Sequence, residues 1–142
     1  MAAEFISVSF PNASNDLNPI PDAPVDPLFL ERYARALDDY GFNYTLIPYS
    51  SSSFDPFTLG ATVLAHTKNL KIIVALRPNP VYPTVAAKSL ATLDQLSVGR
   101  VAVHFIACGS DDEQVREGHF FNKEERYYRH EEDIRIIRLA WT

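Results

Sequence analysis

The sequence predicts an α/β fold of four successive strand–helix units, because short apolar segments alternate with segments of helical periodicity. The first strand is predicted at residues 5–10, which are rich in β-forming residues and end at Pro11. Further strands are predicted at residues 44–47, 70–76 and 100–106. The third strand is almost entirely apolar, which is typical of a strand buried on both faces of a parallel sheet.

Each predicted strand is followed by a helix with recognisable start or stop signals. Asp26-Pro27 and Asp55-Pro56 both combine a capping carboxylate with a proline suited to the first turn. Asn122 and Glu125 have the spacing of a capping box for the last helix, and a polar loop is predicted before it. The predicted helices run from residue 27 to a stop at Gly41, from 56 to about 67, from 84 to 97 with a stop at Gly99, and from 122 onward.

Repeated strand–helix alternation predicts a parallel sheet with right-handed crossovers. Two architectures remain open: a doubly wound sheet, including a flavodoxin-like one, and a segment of a β/α barrel. No predicted helix opens with a glycine-rich phosphate-binding motif, and the chain contains only 5 glycines. The long loops follow strands, at the ends where barrel enzymes build their active sites. These observations favour the barrel.

Composition restricts the class of function. The 142 residues are expected to form a single domain, 1–142, with a hydrophobic share of 46% that suits a packed core. The net charge of -5 and the mixing of acidic and basic residues argue against a nucleic-acid-binding surface. A single cysteine, Cys108, excludes an internal disulfide, and no metal-ligand spacing is present. Without an apolar segment of ~20 residues or a signal peptide, no membrane association is expected, and the predicted location is the cytoplasm.

Residues 70–109 carry a family resemblance. They read LKIIVALRPNPVYPTVAAKSLATLDQLSVGRVAVHFIACG. The matching motifs are VALRP with YPTVAA, then ATLDQLS ending in Gly99-Arg100, and, further on, Glu125-Arg126-Tyr127. The sequence resembles the luciferase-like flavin-dependent monooxygenases, in particular the alkanesulfonate monooxygenase branch that uses reduced FMN (FMNH2).

This resemblance implies a TIM-type (β/α)8 barrel that binds reduced FMN, in preference to a deazaflavin, at the carboxyl ends of its strands. Such an enzyme oxygenates a small organic substrate with O2, and a flavin reductase is an expected partner. Family barrels are about twice as long as this chain, so its (βα)4 segment corresponds to the first half of the barrel. Because a half barrel has open edges, we expect a homo-oligomer, and a truncated, non-catalytic paralogue serving as an association module is the alternative.

The resemblance also implies pocket residues. Tyr49 aligns with a flavin-contacting position, and Ser53 stands where related enzymes carry a cysteine-bearing loop. Asn79 follows the third strand, and Ala107 ends the fourth, where relatives contact the isoalloxazine ring. Tyr127 is the tyrosine of the Glu-Arg-Tyr motif. The predicted cofactor-binding residues are therefore Tyr49, Asn79, Ala107 and Tyr127, and the predicted catalytic residues are Ser53 and His104.

Each of these residues also has an ordinary structural interpretation. Ser53 belongs to a serine-rich loop, Asn79 lies between two prolines in a turn, and the two tyrosines could pack. His104 points either into the barrel or toward a helix, because strand side chains alternate.

The turn before the fourth strand is expected to be structural. Asp94 and Arg100 are predicted to pair across it, and Val98 occupies a position where the family more often has glycine.

Overall fold

Strands and helices alternate along the chain in a computed structural model that describes residues 3–15, 17–78, 80–107 and 110–141. The elements are β1 (Ile6–Val8), α1 (Pro27–Asp39), β2 (Tyr44–Ile47), α2 (Pro56–His66), β3 (Lys71–Leu76), α3 (Pro83–Ser97), β4 (Val101–Phe105), α4 (Asp111–Arg116) and α5 (Lys123–Trp141). The four predicted strands are confirmed, and β1 is shorter than predicted because pairing with β2 covers only three residues.

The strands form one parallel sheet in the order β1-β2-β3-β4. Helices that follow one another along the sheet also pack side by side: α1 on α2, α2 on α3, and α3 on α5. A doubly wound sheet would reverse its strand order at a switch point and carry helices on both faces. Sequential order with a single row of neighbouring helices is the pattern of a β/α barrel segment. The barrel prediction is therefore confirmed.

The two faces of the sheet differ in their surroundings. Gly60 of α2 lies against the outer face: a Cβ atom built on it would be 2.8 Å from Ile72 Cδ1 and 3.9 Å from Val74 Cγ2. The outer-face residues of β2 and β3 are buried and those of β4 are partly buried, so this face forms the core with the helices. On the inner face, which would point into a closed barrel, Ile6 is 58% exposed and Val8 is 37% exposed.

The predicted helix starts are confirmed by their hydrogen bonds. The Asp26 carboxylate accepts from the backbone N–H groups of Leu28 and Phe29, and the Asp55 carboxylate accepts from that of Thr58. Asn122 and Glu125 form a reciprocal capping box, with N–H···O distances of 2.8 and 3.1 Å. Local side-chain chemistry therefore sets where these helices begin.

The region predicted as a polar loop contains an additional short helix, α4. Ser110 caps it by accepting a hydrogen bond from the Glu113 N–H, and the first turn holds Asp111, Asp112 and Glu113. Acidic residues in a first turn are stabilised by the helix dipole. The pairing of Ser110 with Glu113 is itself a capping-box spacing, so the sequence contained a signal that the loop prediction did not use.

The expected ion pair between Asp94 and Arg100 is wrong. The Asp94 carboxylate instead accepts from the backbone N–H of Val101. The guanidinium donates to the hydroxyl of Thr67 and to the carbonyl oxygens of Leu64, Leu70 and Ser97. Arg100 therefore ties the ends of α2 and α3 to the amino-terminal side of the sheet, because helix-terminal carbonyls need donors.

Candidate active site at the carboxyl ends of the strands

Arg77 follows β3 directly and is the centre of a charged cluster. Its guanidinium donates to Glu117 Oε2 at 3.0 Å and to Glu113 Oε2 at 2.9 Å. Only 4% of the arginine side chain is exposed. A buried cation requires such partners, because an unpaired charge away from water is costly. The two glutamates come from α4 and the residue following it, so these bonds hold α4 across the carboxyl end of β3.

Tyr49 brings the end of β2 into the same cluster. Its hydroxyl donates to Glu117 Oε1 at 2.6 Å, and its ring centroid lies 5.2 Å from the Arg77 guanidinium carbon. Burial and then the hydrogen bond to Glu117 raise the pKa of Tyr49 above its ordinary value. The phenol therefore stays neutral, with its proton committed to Glu117. What Tyr49 can offer a ligand is its ring and the lone pairs of its oxygen.

Glu113 connects the loop after β2 to Arg77. Its Oε1 accepts from the backbone N–H of Ser51 at 3.0 Å, while Oε2 accepts from Arg77. The Ser51 hydrogen bond and the nearby Arg77 charge hold the pKa of Glu113 below its usual value, against a smaller opposing effect of burial. Glu113 is therefore an anion at neutral pH. We call Tyr49, Arg77, Glu113 and Glu117 the Arg77 cluster.

The Arg77 cluster is built to hold positions. Its carboxylate Glu113 remains ionised and its phenol remains protonated around neutrality, so neither group is set up to exchange protons there. The arrangement instead fixes an aromatic ring, a buried cation and a short helix where barrel enzymes bind their substrates and cofactors.

Ser53 belongs to the same loop as Ser51 but uses its hydroxyl locally. The oxygen accepts from the backbone N–H of Ser50 at 3.0 Å, and the hydroxyl hydrogen lies within reach of the Ser50 carbonyl oxygen at 2.9 Å. Its side chain is exposed and closes a turn of the loop after β2. The catalytic role of Ser53 stays a prediction.

His104 lies on the inner face of the sheet. Its neighbour Phe105 points to the helix layer, where its ring makes an edge contact with His130 of α5 at a centroid distance of 6.0 Å. Since strand side chains alternate, His104 faces the other way, where it is exposed and lies in register with Ala75 of β3. Of the two orientations that the sequence left open, the structure has the inward one. Ala107 follows β4 two residues after Phe105, and Asn79 lies outside the described residues.

The Glu-Arg-Tyr motif divides into three roles. Glu125 caps α5, and Arg126 is buried and donates to Asp111 Oδ1 at 2.7 Å and to the carbonyl oxygen of Phe121. These bonds tie the start of α4 to α5. Tyr127 is half exposed in an open groove on α5 whose lining residues all belong to that helix. The residues that line this groove are thus different from those of the Arg77 cluster. The cofactor-binding role of Tyr127 stays a prediction.

Sequence reasoning recognised VALRP as a motif but assigned no role to its arginine, and it missed both glutamates. The sequence contained one signal for the arginine and one for the two glutamates. Arg77 is a charged residue directly after a buried strand, and Glu113 and Glu117 are four residues apart, on one helix face.

The described residues contain neither a metal-binding cluster nor a membrane-spanning helix. No group of three or more His, Cys, Asp or Glu side chains is arranged to hold a metal ion within residues 3–15, 17–78, 80–107 and 110–141. In that same part of the chain, no helix has both the length and the apolar character needed to cross a membrane.

Many solved structures contain a similar fold. EDTA monooxygenase (EmoA) from Chelativorans sp. BNC1 superposes with a TM-score of 0.83 and 18% identity, over 98% of this chain and 36% of that one. The oxygenating constituent of 3,6-diketocamphane monooxygenase from Pseudomonas putida, a type II Baeyer-Villiger enzyme in complex with FMN, gives 0.78 and 20%, over 96% and 38%. The coenzyme F420 dependent tetrahydromethanopterin reductase from Methanopyrus kandleri gives 0.64 and 20%, over 82% and 30%.

At these identities the likeness establishes the fold alone. The chain spans between 30% and 38% of the length of the three proteins, so its four strand–helix units match part of their barrels. The sequence model of the luciferase-like monooxygenases matches residues 5–142, which is nearly the whole chain. This chain therefore belongs to the luciferase-like monooxygenase family, a family of enzymes.

Proposed function

We propose that the chain forms the amino-terminal half of the barrel of a flavin-dependent monooxygenase and that reduced FMN binds at the carboxyl ends of β2, β3 and β4. The observation that supports this most directly is the Arg77 cluster. It fixes Tyr49 and α4 over the strand ends with a buried cation at the centre, at the edge where barrel enzymes place their ligands.

The residues on the inner face fit a planar cofactor. Ala75 and Ala102 are small residues on the inner sides of β3 and β4, and Ala107 follows β4 at the same end. Small side chains there leave room for a ring system to approach the strand ends. His104 is exposed on this face and presents an imidazole that can donate and accept hydrogen bonds. Bound reduced flavin would supply the electrons for activating dioxygen.

Within this proposal each pocket residue has a defined task. Tyr49 packs its ring against the cofactor while Arg77 supports it from one side. His104 holds or transfers a proton at the imidazole next to the reacting groups, and Ser53 offers a hydroxyl from the loop after β2. Ala107 lines the pocket at the end of β4, and we also propose cofactor contacts for Tyr127 and for Asn79, which lies outside the described residues.

The substrate class and partners follow from the family resemblance. We propose a small organic substrate, and alkanesulfonates are the first compounds to assay. We also propose a cytoplasmic, homo-oligomeric enzyme that receives reduced FMN from a flavin reductase. We propose that FMN binds more tightly than a deazaflavin. One structural neighbour was solved with FMN and another depends on coenzyme F420, so the affinities for both cofactors should be measured.

A fluorescence titration tests the flavin site. Oxidised FMN is titrated with wild-type chain, with His104→Ala and with His66→Ala, in which the changed residue lies on α2 outside the proposed pocket. We expect quenching by wild type, about tenfold weaker binding by H104A from the loss of one buried hydrogen bond, and no change for H66A. A parallel titration with coenzyme F420 ranks the two cofactors. No quenching by the chain, nor by a longer protein that contains it, would refute the proposal.

The exposed inner face supports a second candidate function, a non-catalytic association module. Ile6 and Val8 expose apolar surface there, and, within the described residues, β1 pairs only with β2 and β4 only with β3. Open strand edges and apolar faces favour self-association. Light scattering distinguishes the cases: dimers or larger assemblies without FMN binding support the module, and a monodisperse monomer contradicts it.

A further inference from the structure

Gln114 is the buried residue of α4, with only 2% of its surface exposed. Among the residues that the structure describes, neither its amide oxygen nor its amide nitrogen has a hydrogen-bond partner. A buried amide without partners destabilises a fold, whereas a leucine of similar size would bring no such penalty. Glutamine at this position is thus unfavourable for folding alone, which is typical of residues kept for function.

Further buried polar atoms without partners belong to residues that bond to Glu113, the neighbour of Gln114 in the sequence. Arg77 Nε and Ser51 Oγ are also buried and have no hydrogen-bond partner within the described part of the chain. Both residues contact the carboxylate of Glu113, which immediately precedes Gln114: the Ser51 N–H lies 3.0 Å from Oε1 and an Arg77 amino group 2.9 Å from Oε2. Unused donors and acceptors therefore belong to α4 itself and to the two segments that bond to it through Glu113.

The packing of α4 allows a ligand to reach these atoms. In the described residues no other helix or strand packs broadly against α4. Side chains hold it instead, through the two bonds from Arg77 and through Arg126, which contacts Asp111 at 2.7 Å. Elements held by few contacts open locally at low free energy. The two Arg77 bonds keep α4 over the strand ends, and a small tilt about them would bring Gln114 to the edge of a ligand that lies there.

We propose that Gln114 recognises the imide edge of the flavin ring, an inference that rests on the proposed function. This edge presents an N–H donor between two carbonyl acceptors. A carboxamide complements it, because its oxygen accepts from the N–H while its nitrogen donates to one carbonyl. Arg77 Nε can donate to the other carbonyl. The recognition needs one neutral amide, which Gln114 supplies, and one fixed cation, which Arg77 supplies.

Methylation of the flavin tests this pairing directly. FMN and 3-methyl-FMN, which lacks the imide N–H, are titrated into wild type, Gln114→Leu and Gln95→Leu, the last changing an exposed residue of α3. Wild type and Q95L should bind FMN about tenfold more tightly than 3-methyl-FMN. Q114L should bind both equally, and its melting temperature without ligand should exceed that of wild type. Gln114→Met provides a second apolar variant of similar length.

The outcomes separate the two proposals. If wild type binds both flavins equally, or if Q114L and Q114M still discriminate, the Gln114 inference is overturned and the flavin site stands. A melting temperature lowered in both apolar variants would also overturn it, because the amide would then have a stabilising partner. Absence of FMN binding both by wild type and by a longer protein that contains it refutes the proposed function, and the Gln114 inference fails with it.

Discussion

Removing the Arg77 guanidinium is expected to destabilise the fold by about 3 kcal/mol. Methionine at position 77 keeps most of the apolar stem but leaves Glu113 and Glu117 facing each other without their shared cation. Breaking a buried pair by removing one partner costs about 3–5 kcal/mol. The Glu113 side chain is 25% exposed and that of Glu117 10% exposed, so both can recover some hydration, and the lower end of the range applies.

Urea unfolding of Arg77→Met measures this loss, followed by circular dichroism and by the fluorescence of Trp141, the single tryptophan, which packs against the core. A loss of about 3 kcal/mol corresponds to a melting temperature lowered by roughly 10 °C for a chain of this size. Arg77→Lys should recover only part of the loss, because an ammonium group cannot bind two carboxylates as a planar fork does.

The matched control is Arg135→Met on α5. Its guanidinium lies 3.1 Å from Glu131, but the two side chains are 73% and 70% exposed, and such a surface pair contributes less than about 0.5 kcal/mol. The reasoning is refuted if R77M costs less than about 1 kcal/mol or no more than R135M. Either result would mean that the Arg77 cluster does not hold α4 in place.

Three other substitutions test separate features. Val98→Gly should stabilise the fold by roughly 0.5–1 kcal/mol in urea unfolding, because Val98 is exposed and adopts a left-handed backbone with φ of 58°. Asp38→Asn should cost about 1.5 kcal/mol, because the carboxylate accepts from the N–H groups of residues 68–70. Burial raises the pKa of Asp38, but these bonds outweigh it and lower the pKa below 3.8, so the loss should disappear as unfolding is measured at increasingly acid pH. The wild-type fold should lose stability above pH 10.0, because the pKa of Tyr49 is raised in the folded chain and the phenol then ionises more easily in the unfolded chain. Tyr49→Phe should abolish this loss.

Each of these substitutions has a control in the same chain. Val85→Gly, in the first turns of α3, should destabilise because glycine is a poor helix former. Asp39→Asn changes an exposed neighbour of Asp38, and Tyr40→Phe changes a tyrosine that is 85% exposed. Neither should alter the pH dependence of unfolding. A V98G variant that is less stable than wild type would contradict the reasoning about Val98. Controls that change the acid or alkaline pH dependence of unfolding as much as the Asp38 and Tyr49 variants do would contradict the reasoning about those two residues.

The elements of the fold could be predicted because their signals are local. An aspartate before a proline, or an asparagine three residues before a glutamate, satisfies backbone N–H groups within the same turn, so Asp26, Asp55 and Asn122 mark helix starts in any fold. Local signals could not decide between a barrel and a doubly wound sheet. That choice depends on which face of the sheet each helix covers, and several strand–helix units together decide this.

The candidate site depended on contacts between distant residues. Arg77 is 36 and 40 residues away from its two carboxylates, and Tyr49 is 68 residues away from Glu117. Charge alone does not select such partners. The ion pair expected within one helix, Glu131 with Arg135, is present. The pair expected across a turn, Asp94 with Arg100, was wrong because carbonyl oxygens near the ends of two helices accept from Arg100 instead.

Two arginines lie next to the sheet, the part-buried Arg100 and the buried Arg77, and they differ in how many of their hydrogen-bond donors have partners. Arg100, at the amino-terminal end, uses Nε and both amino groups on acceptors from its own scaffold. Arg77, at the carboxyl-terminal end, has charged partners for both amino groups, yet its Nε has none among the described residues. A saturated guanidinium can only hold its surroundings together, whereas an incompletely bonded one, next to the unpaired amide of Gln114, can still bind something else. The unused hydrogen-bonding groups of Arg77 and Gln114 thus support the proposal of a ligand site at the carboxyl ends of the strands.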